Sequence, residues 1–274
     1  MSKLNYFKNK PKVSNIDVDA YLGRLNLKRE PATLQFLRKL HSSHVHTIPF
    51  ENLDIHYRDK ITLDYSRIFN KLVTRKRGGF CYELNGLFYH LLFHLGYDCY
   101  IASAQMKNED GSFDPDFGHM MIVATIDDQD YLVDVGFGNS FLYPKLINKG
   151  VVQMDYTTYW RFDTDPDENL LLQYSSNASN FTTKYMFRCE EKQIIQFFEM
   201  CEYHQTSPKS MFTQKKLISV KTTDGRITLT DRKLKILKLG EIDESPILNE
   251  DEFLSKLEQY FSISYHQLGP RKNS

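Results

Sequence analysis

Residues 77–96 read RGGFCYELNGLFYHLLFHLG, and they contain the clearest helix pattern in the chain. Apolar side chains recur there with the period of an α-helix, at Leu84, Leu87, Phe88, Leu91, Leu92 and Leu95. Gly96 then supplies a C-terminal stop. We therefore predict a helix that starts just after Gly78-Gly79 and buries one face in a core.

The sequence upstream of this helix also reads as helical. Three further candidates are residues 17–25, with Asp17 as N-cap, residues 31–41, with Pro31 at the first helical position, and residues 66–75.

Downstream of Gly96 the pattern changes to that of strands. β-branched and aromatic runs bounded by turn residues lie at 97–106, 119–126, 131–135 and on both sides of Thr223-Asp-Gly225. Residues 202–210 are polar and are interpreted as a loop, and a final amphipathic helix follows Asn249. Helices followed by strands indicate an α+β fold rather than a doubly wound parallel sheet.

Composition excludes several classes of protein. Of the 274 residues, 41% are hydrophobic and 26% are charged, which is typical of a folded globular chain. The 35 basic residues equal the 35 acidic ones, which argues against a nucleic-acid partner. No apolar run reaches the ~18 residues of a membrane span, and the N-terminus has no signal-peptide pattern. We expect a cytoplasmic protein with no membrane partner.

Cys81 is the first candidate for chemistry. The start of a helix offers free backbone N–H groups and a favourable dipole, which stabilise the thiolate, the nucleophilic form of cysteine. The two preceding glycines permit close approach of the backbone to a ligand or a tight turn. A buried, inert cysteine remains an alternative at this point.

A cysteine nucleophile needs a base and a group that orients the base. His119 opens an apolar strand, where it could also be an ordinary strand-end residue. Asp134 lies inside the apolar run 131–135, and a buried carboxylate is costly unless it is paired. An imidazole N–H would be a suitable partner.

Strand spacing alone does not bring these two side chains together. A hairpin closed by residues 127–130 places Val123 opposite Asp134, so His119 shares its face but lies four residues further along. At ~3.3 Å per residue that is too far for contact. A bulge, a bent strand or a different pairing would be required.

Other polar clusters have plainer interpretations. His90 and His94 have the i, i+4 spacing of metal ligands but lack a third ligand, so we interpret them as solvated or boundary residues. His41, His44 and His46 likewise lack a completing ligand. The four cysteines form no CxxC pair, and we predict free thiols and no metal. Lys71–Arg77 is interpreted as a solvated basic helix face, with pairing of Arg77 to Glu51 as an alternative.

Five segments together resemble the arylamine N-acetyltransferases. RGGFCYELN at 77–85 is similar to that family's RGG-x-C-x-E/Q-x-N segment, and PFENL at 49–53 to its PFENL segment. FGH at 117–119 and DVGFG at 134–138 resemble the segments that carry the family's His and Asp. SPKSMF at 207–212 resembles its SPxSxF loop, and the matches follow the family's order.

The resemblance implies a three-part fold with a cysteine-protease-like core. Its parts would be a helical bundle at 1–96, an antiparallel β-barrel-like domain at 97–200 and an α/β lid at 201–274. It also implies a Cys81, His119 and Asp134 triad. Cys81 would take the acetyl group of acetyl-CoA and pass it to an arylamine or arylhydrazine in a ping-pong reaction, without a metal. The protein would be a monomer or homodimer.

Further roles follow from the same resemblance. Phe50 and Phe137 would form an aromatic wall for the acceptor. Lys209, Ser210 and Phe212 would contact CoA, and Glu51 and Arg77 would form a structural ion pair near the nucleophile.

Three alternatives stay open on the residues alone. A cysteine hydrolase of the papain or transglutaminase type has the same Cys, His, Asp order. An amide synthase of the same fold would use an acyl chain on a carrier. A binding module with an inert Cys81 is the non-enzymatic alternative, and the polar Asp134 inside an apolar strand argues against it.

Overall fold

The structure, a computed structural model, describes residues 16–138 and 141–269. Residues 1–15, to which the expectation of no signal peptide refers, lie outside the described residues. The first part is helical, with Val18–Arg24 (α1), Leu34–Thr47 (α2), Leu53–Tyr57 (α3), Tyr65–Phe69 (α4), which continues into a wider π-type turn at Asn70–Thr74, and Cys81–His94 (α5). Within the described chain, no helix is long and apolar enough to cross a bilayer.

Capping side chains set where the early helices begin. Asp17 accepts a hydrogen bond from the Ala20 backbone N–H, as predicted for the first helix. The second helix begins later than predicted, because the Thr33 hydroxyl accepts from the Phe36 backbone N–H and so acts as the cap. Pro31 therefore lies before this helix and not at its first position.

The middle of the chain forms a curled antiparallel sheet of barrel-like shape. Its strands are Asp98–Met106 (β2), His119–Ile126 (β3), Gln129–Val133 (β4), Lys145–Leu146 (β5), Gln153–Asp155 (β6), Thr158–Thr164 (β7), Leu170–Ser175 (β8) and Thr182–Phe187 (β9). They are ordered β5-β4-β3-β2-β9-β8-β7-β6. The short strand Phe50–Glu51 (β1) belongs to a second sheet.

That second sheet, ordered β1-β10-β11-β12-β13, joins the helical part to the C-terminal part. Its other strands are Leu217–Thr222 (β10), Gly225–Thr230 (β11), Lys233–Lys238 (β12) and Glu241–Pro246 (β13), and the C-terminal helices are Phe198–Thr206 (α6), Met211–Gln214 (α7) and Glu250–Phe261 (α8). The hairpin and the helix after Asn249 are confirmed, and the α+β prediction is confirmed with them.

The predicted loop at 202–210 is wrong for its first five residues, because these belong to α6. Phe197, Cys201 and His204 are buried one helical turn apart, while the residues between them are largely exposed. A helix with so many polar residues is stabilised by one narrow buried stripe.

Helix α5 lies at the centre of the main core. Every residue from Cys81 to Leu92 is buried, because the helix packs against the other helices on one side and β2 and β3 on the other. The interpretation of His90 as a solvated or boundary residue is therefore wrong, and its ring lies 3.6 Å from that of Tyr65, centroid to centroid. Since α5 touches both halves of the fold, its first residue is held where they meet.

The hairpin of β3 and β4 has a different register from the predicted one. Its turn has two residues, Asp127 and Asp128, with φ of 52° and 58°. Such paired left-handed residues match the twist of a tight hairpin, and aspartate tolerates them. Val123 therefore pairs with Leu132 rather than with Asp134. The shift of two residues moves Asp134 toward the level of His119.

Candidate active site

Cys81 is the first residue of α5, and local contacts fix its backbone. The Glu83 carboxylate turns back to accept a hydrogen bond from the Phe80 N–H at 3.1 Å, which caps the helix start. Glycine is required at positions 78 and 79 because neighbouring parts of the chain pack closely against them. A Cβ on Gly78 would lie 2.2 Å from the Pro49 carbonyl oxygen. The thiol itself is 3% exposed.

His119 and Asp134 are in direct contact. The imidazole Nε2 lies 2.8 Å from the Asp134 Oδ2. The corrected hairpin register explains this, because the two residues become diagonal neighbours on one face of the sheet, within reach of long side chains. Asp134 itself follows the last residue of β4. No bulge between these strands is needed.

The Asp134 carboxylate is fully buried and accepts hydrogen bonds at both oxygens. Its Oδ1 accepts from the Asn85 amide at 2.8 Å and from the Gly136 N–H at 3.1 Å. Its Oδ2 accepts from the Tyr185 hydroxyl at 3.0 Å and from His119. A buried carboxylate with this set of donors is kept ionised.

The electrostatics of the pair favour a charged imidazole. Burial alone would lower the pKa of His119, but attraction to Asp134 and hydrogen bonds to Asp134 and Cys81 raise it to about 10. Burial alone would raise the pKa of Asp134, yet His119 and the hydrogen-bond donors hold it below its usual range. Since Nε2 is bonded to Asp134, Nδ1 is the nitrogen left to face the Cys81 sulfur. The site can therefore hold the His119 imidazole in its charged form beside the Cys81 sulfur.

Three supporting residues were not predicted. His41 accepts the Asp134 backbone N–H at its Nε2, 3.3 Å away, and its Nδ1 lies 2.9 Å from the Leu142 carbonyl. Burial lowers the pKa of His41 to about 4, so it is neutral. Asn85 belongs to the RGGFCYELN segment, but the sequence assigns it no role. Nothing in the sequence around Tyr185 indicates a site residue, because it reaches the site from the distant strand β9.

A cleft of about 560 Å³ opens above this group, and Cys81 and His119 line it. All five residues predicted for acceptor and cofactor contacts line it too: Phe50, Phe137, Lys209, Ser210 and Phe212. The Phe137 ring lies 6.1 Å from that of His119, and Phe50 is 6.1 Å from Phe212. The cleft thus has an aromatic wall beside the reactive group.

The residues predicted to contact a cofactor differ in exposure. Lys209 is exposed at the rim of the cleft. Ser210 is buried, and its hydroxyl already donates to the His204 carbonyl at 3.2 Å and accepts the Phe212 N–H at 3.2 Å. Ser210 therefore fixes the backbone of residues 207–212, while the Lys209 side chain is free to reach into the cleft.

Glu51 and Arg77 pair as predicted, but inside a larger buried cluster. Arg77 Nη2 lies 2.7 Å from Glu51 and 2.6 Å from Asp54. Lys71 lies 2.7 Å from Asp54 and 2.9 Å from Glu83. The prediction of a solvated basic face is wrong for Lys71, which these carboxylates hold in the interior. The cluster ties β1 to the start of α5 from behind the cleft.

No group of three or more metal-ligating side chains occurs within residues 16–138 and 141–269. The histidines at 41, 44 and 46 do not converge on one point. His41 contacts Leu142, and His44 contacts the Tyr21 hydroxyl at 3.0 Å.

Comparisons with known proteins find relatives that span most of the chain. A family model described as N-acetyltransferase matches residues 33–268. Arylamine N-acetyltransferase 1 of Bos taurus is 30% identical, with 91% of this chain and 94% of that protein aligned. The enzyme of the same name from Homo sapiens is also 30% identical, with the same coverage.

Solved structures show the same fold. The arylamine N-acetyltransferase of M. tuberculosis superimposes with a TM-score of 0.85 at 30% identity, covering 93% of this chain and 97% of that one. An arylamine N-acetyltransferase of Bacillus cereus, described as having a unique Cys-His-Glu catalytic triad, gives a TM-score of 0.83 at 26% identity, covering 91% of this chain and all of that one.

Proposed function

This chain belongs to the arylamine N-acetyltransferase family, and on that premise we propose that Cys81 carries an acetyl group from acetyl-CoA to an aromatic amine or hydrazine. The observation that carries the proposal is the connected group of Cys81, His119 and Asp134 at the floor of an aromatic-walled cleft. Its components match the general pattern of a nucleophile, a base and an orienting carboxylate.

The first half-reaction loads the enzyme. The Cys81 thiolate attacks the thioester carbonyl carbon, and the bond between that carbon and the CoA sulfur breaks. CoA leaves as a thiol, taking the proton held by His119. Acetyl-Cys81 and a neutral His119 remain.

The second half-reaction transfers the acetyl group to the acceptor. The amine nitrogen attacks the acetyl carbon, the bond to Cys81 breaks, and His119 accepts the proton that the nitrogen loses. Asp134 supports both halves, because its charge stabilises the imidazolium and its hydrogen bond to Nε2 keeps Nδ1 toward the sulfur.

The cleft suits both substrates. Phe50 and Phe137 offer ring faces to an aromatic acceptor. Lys209 on the rim can pair with a phosphate of CoA as a mobile point charge. Phe212 lies between these two regions, next to Phe50.

Acetyl-CoA without an amine is expected to acetylate Cys81. Peptide mass spectrometry after brief incubation should find the acetyl group on the Cys81 peptide. Cys189 is a built-in control, because it is an exposed free thiol while Cys81 is 3% exposed. Equal labelling of both cysteines, or labelling of neither, would contradict the proposal.

The reaction that removes the acetyl group from Cys81 distinguishes an acetyltransferase from a hydrolase. Adding 4-aminobenzoate or hydralazine should release the acetyl group as an amide far faster than buffer alone does. Rapid loss to water with no amide formed would indicate a cysteine hydrolase instead.

Gly136→Ala is expected to lower kcat/KM by about 100-fold, because displacements near 1 Å in an active site have effects of that size. A Cβ at this position would lie 2.8 Å from the Cys81 Cα and 2.6 Å from the Asn85 amide nitrogen. Both contacts push the nucleophile away from Asp134 and its partners. Steady-state kinetics measures the effect.

Gly23→Ala is the matched control for this change. Gly23 lies in α1, and a Cβ added there would meet open space out to 4 Å, so kinetics should not change and stability should rise slightly. Normal activity in Gly136→Ala would show that the start of α5 is not packed as described.

A further inference from the structure

Lys221 and Arg226 face each other across β10 and β11. They are direct partners in the antiparallel register, so their side chains project from the same face of the sheet. Both are half-buried, and both line a small pocket of about 20 Å³. Phe50, Phe137 and Gly138 line that pocket as well as the large cleft. Two cations therefore lie immediately behind the aromatic wall.

Neither cation has an acidic partner among residues 16–138 and 141–269. Lys221 makes no side-chain hydrogen bond in that part of the chain. Among the described residues, Arg226 donates to two neutral oxygens and to no carboxylate: the Gly138 carbonyl and the Ser219 hydroxyl. Asp155, the acid whose charge acts on Lys221, is bound to Lys145 at 3.2 Å.

This arrangement is costly for the protein alone. Like charges directly opposite one another destabilise a sheet, and burial adds to the cost. Burial and the charge of Arg226 lower the pKa of Lys221 to about 8, with Asp155 opposing this and Lys145 adding to it. Burial lowers the pKa of Arg226 to about 10. The buried cations Lys71 and Arg77, by contrast, each contact carboxylates.

Residues 136–138 connect the nucleophile to the pocket. Gly136 touches Cys81, since a Cβ on it would be 2.8 Å from the Cys81 Cα. Two residues later, the Gly138 carbonyl accepts from Arg226. Two residues of chain span at most about 7 Å. A benzene ring with an amine at one end and an acidic group at the other has a similar length, so one aromatic acceptor can extend along this segment from the Gly136 end to the Gly138 end.

We propose that Lys221 and Arg226 form an anion subsite that selects aromatic amines bearing a ring carboxylate. The inference rests on the proposed function. The carboxylate sits between the two cations, the ring lies along Phe50 and Phe137, and the amine points at acetyl-Cys81. The pocket has room for about one water-sized group, so one carboxylate oxygen can enter it, whereas a tetrahedral phosphate of the acyl donor is too large.

The test compares 4-aminobenzoate with 4-aminobenzamide, which has a similar shape without the charge. The ratio of their kcat/KM values is measured for the wild type and for Lys221→Met. We expect the wild type to favour the benzoate and the ratio to fall about tenfold in the variant, the size of one charge-assisted hydrogen bond. Methionine preserves the length of the side chain, and within residues 16–138 and 141–269 Lys221 has no hydrogen bond that the substitution would break.

Two variants control for general effects. Lys221→Arg keeps the charge and should keep most of the preference. Lys107→Met removes a cation that lines the cleft outside the subsite, and the ratio should stay unchanged. An equal ratio in the wild type and Lys221→Met would overturn the proposal. So would a raised KM for acetyl-CoA with the ratio intact, because the cations would then serve the donor.

A second readout does not depend on turnover. Benzoate should raise the melting temperature of the wild type more than benzamide does, and Lys221→Met should lose that difference. Acetylation of Cys81 by acetyl-CoA should proceed equally in both proteins. Failure of acetylation in the wild type would refute the proposed function, whereas normal acetylation without any anion preference would refute only the subsite.

Discussion

Asp134→Asn is expected to lower kcat by about 10⁴-fold, the loss seen when the orienting aspartate of a catalytic triad becomes asparagine. Each carboxylate oxygen accepts from at least two donors, so the new amide NH₂ group faces donors in either orientation. If the NH₂ group takes the Oδ2 position, it donates toward His119 Nε2. The imidazole proton then moves to Nδ1, and the nitrogen that faces Cys81 can no longer accept a proton.

Single-turnover acetylation of Cys81 measures this effect separately from product release. Asp116→Asn is the matched control, because Asp116 lies three residues before His119 and accepts hydrogen bonds from Ser103 and Phe117, yet it does not line the cleft. That control should act within about threefold of wild type, the effect of one weakened hydrogen bond. An Asp134→Asn enzyme that keeps a tenth of the wild-type rate would remove Asp134 from the mechanism.

Arg77→Met is expected to lower the free energy of unfolding by about 3–5 kcal/mol, the cost of leaving buried charges without their partner. Arg77 is fully buried, and its loss leaves Glu51, Asp54 and Glu83 with Lys71 as their only cation in the cluster. It also removes the hydrogen bond from Arg77 Nη1 to the Gln267 carbonyl at 2.9 Å. The C-terminal segment would lose one anchor to the helical part.

Urea denaturation at pH 7 measures this loss. Arg67→Met is the control, because Arg67 is 60% exposed and lies 3.6 Å from Asp59, so less than about 1 kcal/mol should be lost. Similar decreases in the free energy of unfolding of the two variants would show that the ion pairs around Arg77 are not buried as described. Arg77→Lys keeps the charge but loses the planar guanidinium group. Its free energy of unfolding should lie between those of the wild type and Arg77→Met.

Local patterns predicted the elements on which the site is built, because each depends on a single stretch of chain. The apolar stripe of α5 specifies a helix whatever surrounds it, and the Thr223-Asp-Gly225 turn specifies a hairpin. The many polar residues of α6 obscure the apolar pattern of its narrow buried face, so the sequence there is typical of a loop. The boundary of α2 was misplaced because a proline signal was preferred to the threonine cap.

Contacts between distant elements could not be predicted in this way. His41 on α2 meets Asp134 because the helical part packs against the barrel-like sheet, and Tyr185 on β9 meets it because that sheet curls. Lys71 looked like a surface residue, since the three carboxylates that hold it come from other segments. Lys221 and Arg226 gave no signal, because cations on a short strand normally face water.

The contact between His119 and Asp134 depends on the number of residues in the turn at Asp127-Asp128. Tips of hairpins are where natural chains and engineered fusions most readily accept extra residues. Here a single inserted residue would shift β4 by one position and turn Asp134 to the opposite face of the sheet. His119 is the first residue of the eight-residue β3 and the turn follows the last, so about 25 Å of strand separate them. The amino acids of the turn can therefore be replaced by others that tolerate positive φ, whereas a peptide tag that shifts the register of β4 would break the contact between His119 and Asp134.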